Sequence, residues 1–145
     1  MVINKWFTAT IPIPDGYQIY EERIEVVGIA HYKAAATAFV KGKAQYADLV
    51  PEPNNPQDGA AIKVIGCCKG LFGDKSRHIG YLPGETAARL HDRGFTNRVR
   101  GRLLHVYLSD KGFVEVLVQV LGPVGEIEAY AGRKKRVKAA PAQSD

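Results

Sequence analysis

Arg98, Arg100 and Arg102 recur at every second position, with Arg93 shortly before them. On an extended strand that spacing puts three guanidinium groups on one face, about 7 Å apart. Such a row matches the phosphate spacing of an extended nucleic-acid strand, but a run of charges like this more often marks a solvated strand face. Catalysis has less to work with. The chain carries no Gly-x-Ser-x-Gly, no phosphate-binding Gly-x-x-x-x-Gly-Lys-Ser/Thr and no His-Glu-x-x-His. Gly66, Gly70 and Gly73 lack the Lys-Ser or Lys-Thr that would follow in a phosphate loop. Glu21 and Glu22 are adjacent, so on a strand they face opposite ways and share no substrate. His31, His78, His91 and His105 are scattered among unrelated segments. Cys67 and Cys68 are neighbours, and a ring closed between them would be strained and would staple nothing. The reducing cytoplasm is therefore the expected compartment. With no Cys-x-x-Cys pair or histidine cluster, a structural zinc is not expected. The expectation is a binding protein without catalytic residues, metal or cofactor.

The elements that would position such residues are mostly strands. Trp6 to Ile13 reads as a short first strand, broken by Pro12, Pro14 and Asp15-Gly16. Tyr20 to Ala30 alternates, with Glu22, Ile24 and Val26 on one face and Arg23, Glu25 and Val27 on the other, and Gly28 marks a bend. Alanine-rich Ala34 to Val40 predicts a short helix. Asp48 to Pro51 is extended, and Pro51, Pro53, Asn54, Asn55 and Pro56 make the strongest turn in the chain, closed by Asp58-Gly59. Ala61 to Ile65 is a strand with Ile62 and Val64 inward, and Gly66 to Lys75 is a loop. Arg77 to Leu82 is a short strand with Ile79 and Tyr81 on one side, Tyr81 as a wall residue. Glu85 to Arg93, between Pro83-Gly84 and Gly94, predicts a helix burying Ala88 and Leu90. Val99 to Leu108 and Phe113 to Leu121 form a hairpin across Ser109 to Gly112, with Val114, Val116, Val118 and Val120 lining one face. About seven strands and two short helices imply a mostly β fold, a small OB-like or SH3-like barrel.

The 145 residues suffice for one domain over 1–131 with its own core, and the longest apolar runs are too short for a membrane span. No basic segment with an apolar stretch opens the sequence as a secretory signal would. The net charge is +5, but Arg133, Lys134, Lys135, Arg136 and Lys138 stand against only Asp145 in a tail over 132–145. That tail holds +4 and leaves the body at +1. It would add sequence-independent attraction to phosphates, or merely solubilise a disordered end.

A more specific signal runs through the middle. Val27-Gly28-Ile29 precedes the first helix, Glu52-Pro53-Asn54-Asn55-Pro56-Gln57-Asp58 leads to Ala60-Ala61-Ile62-Lys63-Val64, and Ile79-Gly80-Tyr81-Leu82-Pro83 precedes the second. Over residues 27–90 this order resembles the HIRAN domain, found on certain helicase-like DNA translocases and as a stand-alone bacterial protein. The resemblance implies an OB-like barrel that binds DNA, in some members the 3′ end of a single strand. It places the pocket just after the first glycine and in the Asn-Pro-x-Asp turn. His31 and Tyr32 would then offer flat faces, Lys33 a charge, and Asp58 an acceptor for a terminal hydroxyl. Asn55 and Gln57 would hydrogen-bond. Asn55 and Asp58 also suit a plain turn. The sequence departs from DNA-binding members at Ala30 and His31, which replace an arginine and an aromatic. Gln57 replaces an aromatic and Gly84 a lysine. The implied role is recognition of single-stranded DNA or 3′ ends at damaged DNA or stalled forks, with a separate helicase or translocase as partner. A protein-interaction adaptor with a degenerate pocket is the alternative.

Overall fold

The computed structural model describes residues 11–132. Of the strand expected at Trp6 to Ile13 only 11–13 are described, and these form no strand; the rest lies outside the described residues, as does the basic tail after Gly132. The described residues form six strands, β1 Tyr17–Glu25, β2 Lys43–Pro51, β3 Ile62–Gly70, β4 Gly73–Tyr81, β5 Arg100–Leu108 and β6 Val114–Pro123. Three helices, α1 Lys33–Val40, α2 Gly84–Asp92 and α3 Ile127–Ala131, and a 3-10 turn over Ile29–Tyr32 complete them. The mostly β expectation holds. The strands make two antiparallel three-stranded sheets, ordered β1-β6-β5 and β2-β3-β4, and not one hydrogen-bonded barrel. The edges β2 and β5 nevertheless approach closely, since a Cβ on Gly101 would lie 2.9 Å from the Ala47 carbonyl oxygen.

The core fills the space between sheets and helices. Helix α1 buries Ala36, Phe39 and Val40, spaced so that one face meets the sheet. Gln45 donates to the carbonyls at the end of α1, Phe39 at 3.2 Å and Val40 at 2.8 Å. Val114, Val116, Val118 and Val120 are all buried, as their alternation requires. Because β6 is the middle strand of its sheet, Leu117 and Leu121 on its other face are buried too. Ser109 closes the β5–β6 turn, its hydroxyl accepting from the amides of Lys111 and Phe113.

Four local expectations need correcting. The stretch 66–75 is mostly strand, not loop: β3 and β4 pair rung by rung to Gly70 opposite Gly73, leaving a two-residue turn. Glycine suits Gly66 because a Cβ there would meet the Phe39 ring at 2.8 Å. In α2 the buried residues are Thr86, Ala87 and Leu90, so the inward face is one residue off the expected Ala88. Ile79 and Tyr81 do not share a side, for a reason that bears on the site below. The third helix was not expected, being too short to show a period. It is held by Tyr130, whose ring stacks on Tyr20 at 5.0 Å and whose hydroxyl bonds Glu21.

Candidate functional site

Gly28 turns the chain with φ 77°, a left-handed backbone that glycine adopts without strain. The amide of His31 then bonds the Gly28 carbonyl at 3.0 Å and winds the 3-10 turn. This delivers the Tyr32 ring onto His78 of β4, centroids 4.1 Å apart and planes inclined by 34°. Tyr81 completes the group, 4.8 Å from His78 at 80° and 6.2 Å from Tyr32 at 63°.

His78 and Tyr81 are three apart and would face opposite ways on a regular strand. A bulge in β4 changes this. Val64 pairs with Gly80 and Ile65 with His78, so Ile79 is the extra residue. Ile79 goes into the core and Tyr81 joins His78 on the half-buried outer face.

The ring group is wired to the asparagine-proline corner. The Tyr81 hydroxyl donates to Glu52 Oε1 at 2.7 Å, and Asn55 Nδ2 donates to the same oxygen at 2.8 Å. Asn55 Oδ1 accepts from the amides of Gln57 at 2.9 Å and Asp58 at 3.0 Å. Asp58 Oδ1 accepts from the amide of Ala60 at 2.9 Å. Asn55 and Asp58 thus hold the turn and also stand at the end of a bonded path to Tyr32. The path polarises its members. Bonds from Asn55 and then Tyr81 hold the Glu52 carboxyl below its ordinary range. The bond to Glu52 and then that with Tyr32 push the Tyr81 hydroxyl well above its own. Burial lowers the His78 ring, which bonds the Gly80 carbonyl at 2.9 Å. The arrangement offers stacked faces beside a carboxylate held ionised.

The remaining expected residues are dispersed. His31 is exposed on the 3-10 turn and Gln57 is exposed at the corner. Lys33 reaches toward Gly112 and, with Gly28, Ala30 and Phe113, borders a separate hollow of about 390 Å³. The arginine row does not form as expected. Arg98 precedes β5 in a turn, pairs with Glu126 at 2.6 Å and lies 5.0 Å over the Phe95 ring. Arg100 lies 4.9 Å over Tyr17. Arg102 bonds the Ile11 carbonyl at 2.7 Å and Gln119 Oε1 at 2.6 Å. Arg100 and Arg102 border a hollow of about 890 Å³ between β2 and β5, which does not include the ring group. Glu52, His78 and Tyr81 are the residues that sequence reasoning missed. Glu52 and Tyr81 stand inside the quoted motifs; only a long-range bond separates their roles from those of turn and wall. Among the described residues no three His, Cys, Asp or Glu side chains gather as metal ligands, both cysteines are free and buried, and no helix is long and apolar enough to cross a membrane.

The family model for the HIRAN domain matches residues 19–96, more than half of the chain and somewhat wider than the motif span 27–90. Three solved structures align. The crystal structure of the HIRAN domain of human HLTF is 22% identical, with 83% of this chain and 91% of that chain covered and a TM-score of 0.48. The NMR structure of the HLTF HIRAN domain is 19% identical over 81% and 88%, TM-score 0.46. The NMR structure of the same domain in its DNA-bound conformation is 20% identical over 83% and 92%, TM-score 0.42. No curated protein matches the chain.

Proposed function

Because the chain belongs to the HIRAN domain family, we propose that it is a DNA-binding module that takes single-stranded DNA or a 3′ end. The observation that carries this reading is the bonded path from the Tyr32–His78–Tyr81 rings through Glu52 to the Asn55–Asp58 corner. Flat faces accept any base by stacking, worth about 1–3 kcal/mol per base. Asp58 accepts the hydrogen bond of a terminal 3′ hydroxyl, and Glu52 and Asp58 together repel a terminal phosphate. Asn55 and Gln57 bond sugar or phosphate at the corner. His31 adds a ring at the rim, while Lys33, Arg98, Arg100 and Arg102 supply longer-range attraction. Affinity is modest and salt-sensitive, since Ala30 and Gly84 carry no cation and the body is nearly balanced in charge. The work site is damaged DNA or a stalled fork, and any ATP-driven step belongs to a separate helicase or translocase.

Fluorescence anisotropy with labelled oligonucleotides tests this. A 3′-hydroxyl end should bind more tightly than a 3′-phosphate end, Asp58→Ala should erase the difference, and Tyr32→Ala should weaken binding about tenfold. Equal binding of the two ends, unchanged by Asp58→Ala, would rule out end recognition. A second reading, the adaptor, is favoured by Phe113, 57% exposed beside the hollow where Ala30 stands. It predicts that a chain ending at Gly132 binds no oligonucleotide.

A further inference from the structure

Two large apolar side chains are almost wholly in solvent: Leu71 is 87% exposed and Phe72 98%. Every other exposed large apolar residue among those described is at most 59% exposed. They occupy the two-residue turn between β3 and β4, at the end of a ribbon paired without a break from Gly66 opposite Arg77 to Gly70 opposite Gly73. The backbone there is made for a tight end. A Cβ on Gly70 would lie 2.6 Å from the Gly73 carbonyl oxygen, and Gly73 has φ 126°. Glycine takes the conformational load, so the two exposed positions accept any side chain, and nothing in the fold requires them to be apolar.

Cations surround this tip. Lys69 pairs with Asp74, Lys75 with Cys68, and Lys43 of β2 stands opposite Lys69. Asp74 is engaged by the Tyr46 hydroxyl at 3.0 Å. An apolar point inside a collar of three lysines complements a ligand with flat apolar groups on an anionic backbone. The tip also continues the site. Tyr81 and His78 pair with Lys63 and Ile65 of β3, and alternation along β3 puts Lys63 and Lys69 on that same face. Phe72 precedes His78 by six positions, about 20 Å along an extended β-strand, which is about six base steps for a DNA strand whose bases stay stacked at ~3.4 Å each, rather than drawn out to its full phosphate spacing.

We propose that Leu71 and Phe72 form a second stacking point for the same DNA strand, entering between bases about six steps from the end held by the ring group, with Lys63 and Lys69 on the intervening phosphates. This rests on the DNA reading above and adds where the strand runs. Both side chains are in solvent, so Phe72→Ser and Leu71→Ser leave the fold intact.

Oligonucleotides of 5 and 12 residues ending in a 3′ hydroxyl separate the two contacts. Phe72→Ser should leave the 5-mer unchanged and weaken the 12-mer about tenfold. With 2-aminopurine as the probe base, fluorescence at the sixth position from the 3′ end should change on binding and stop changing in Phe72→Ser. The response at the second position should persist in Phe72→Ser and vanish in Tyr32→Ala. If both serine variants bind the 12-mer like the parent protein, the tip is no DNA contact, while 5-mer binding lost in Tyr32→Ala still upholds the ring group. If the parent binds neither oligonucleotide, both readings fall. If Phe72→Ser abolishes sedimentation with phosphatidylcholine–phosphatidylserine vesicles and leaves the 12-mer unaffected, the tip serves a lipid surface and the proposal is overturned.

Discussion

Replacing Gly80 by alanine should separate what glycine does in this fold from what it does elsewhere in the same motif. A Cβ on Gly80 would lie 2.6 Å from both Val26 Cγ1 and the Val27 carbonyl oxygen. Val26 is buried, and Val27 exchanges two backbone hydrogen bonds with Tyr81, each 2.9 Å. Relief requires moving the end of β1 away from β4. Overpacking of this kind costs about 1–3 kcal/mol, and weakening two bonds adds about 0.5–1.5 kcal/mol each. The reduced freedom of the unfolded chain returns about 0.4–1 kcal/mol. At the middle of these ranges the net loss is about 3 kcal/mol. At a urea dependence of about 1.5–2 kcal/mol per M, the midpoint falls by about 1.5–2 M. The same shift would draw the Gly28 bend away from Tyr81 and loosen Tyr32 on His78, so oligonucleotide binding should weaken in protein that is still folded. Gly84→Ala is the internal control. Gly84 is the first residue of α2 with nothing within 4 Å of its Cβ position, so alanine should be neutral or stabilise by up to about 1 kcal/mol. Urea unfolding of both variants decides the matter. A Gly80→Ala midpoint within error of the parent would show that the Val27–Tyr81 bridge is soft and that Gly80 does not set the site.

Three other expectations can be checked with the same protein. Because burial lowers His78 in the fold, the unfolded chain binds its proton more readily. Stability should therefore be complete above about pH 6.5 and decline as pH falls below it, and thermal unfolding of His78→Phe should show a shallower decline. Arg102→Ala removes the guanidinium from buried Gln119 Oε1 and should cost about 1–3 kcal/mol in urea unfolding, whereas a mere phosphate contact would leave stability unchanged. Ending the chain at Gly132 removes five cations and one acid. It should flatten the salt dependence of oligonucleotide binding while preserving the preference for a 3′ hydroxyl, and a chain that then bound nothing would favour the adaptor.

The faces that line the core were legible where a period of two is written directly in the residues, as in Val114 to Val120. What stayed hidden were features decided by a partner distant in sequence. Gly66 and Gly70 look like loop residues, yet they lie in β3 because the Phe39 ring and the Gly73 carbonyl occupy the space of a side chain. The bulge at Ile79 leaves no periodic trace, so Tyr81 was placed on the wrong side. The arginines illustrate the same limit. Their spacing is a local fact, whereas Glu126, Tyr17 and Gln119, which engage them, come respectively from the segment before α3, from β1 and from β6. The corner was read correctly as a turn, and its second role depends on Glu52 meeting Tyr81 across 29 positions.

The charges at the site and around it imply a division of labour. The ring group carries one ionised carboxylate at its centre and a second, Asp58, at its corner, while Lys63 acts on Glu52 and His78 from the neighbouring strand. A surface so balanced gains little from counterion release, so on the proposed reading ends are told apart by stacking and hydrogen bonding. On that reading the lysine collar at the ribbon tip and the arginines of β5 would meet only a longer strand. Oligonucleotides of four or five residues should therefore discriminate a 3′ hydroxyl from a 3′ phosphate with a nearly flat dependence on salt. Lengthening the strand should steepen that dependence by about 0.7 per added phosphate contact without improving discrimination. If instead the shortest oligonucleotides already show the full salt slope, cations must lie at the ring group itself, and the carboxylate-centred account of end recognition fails.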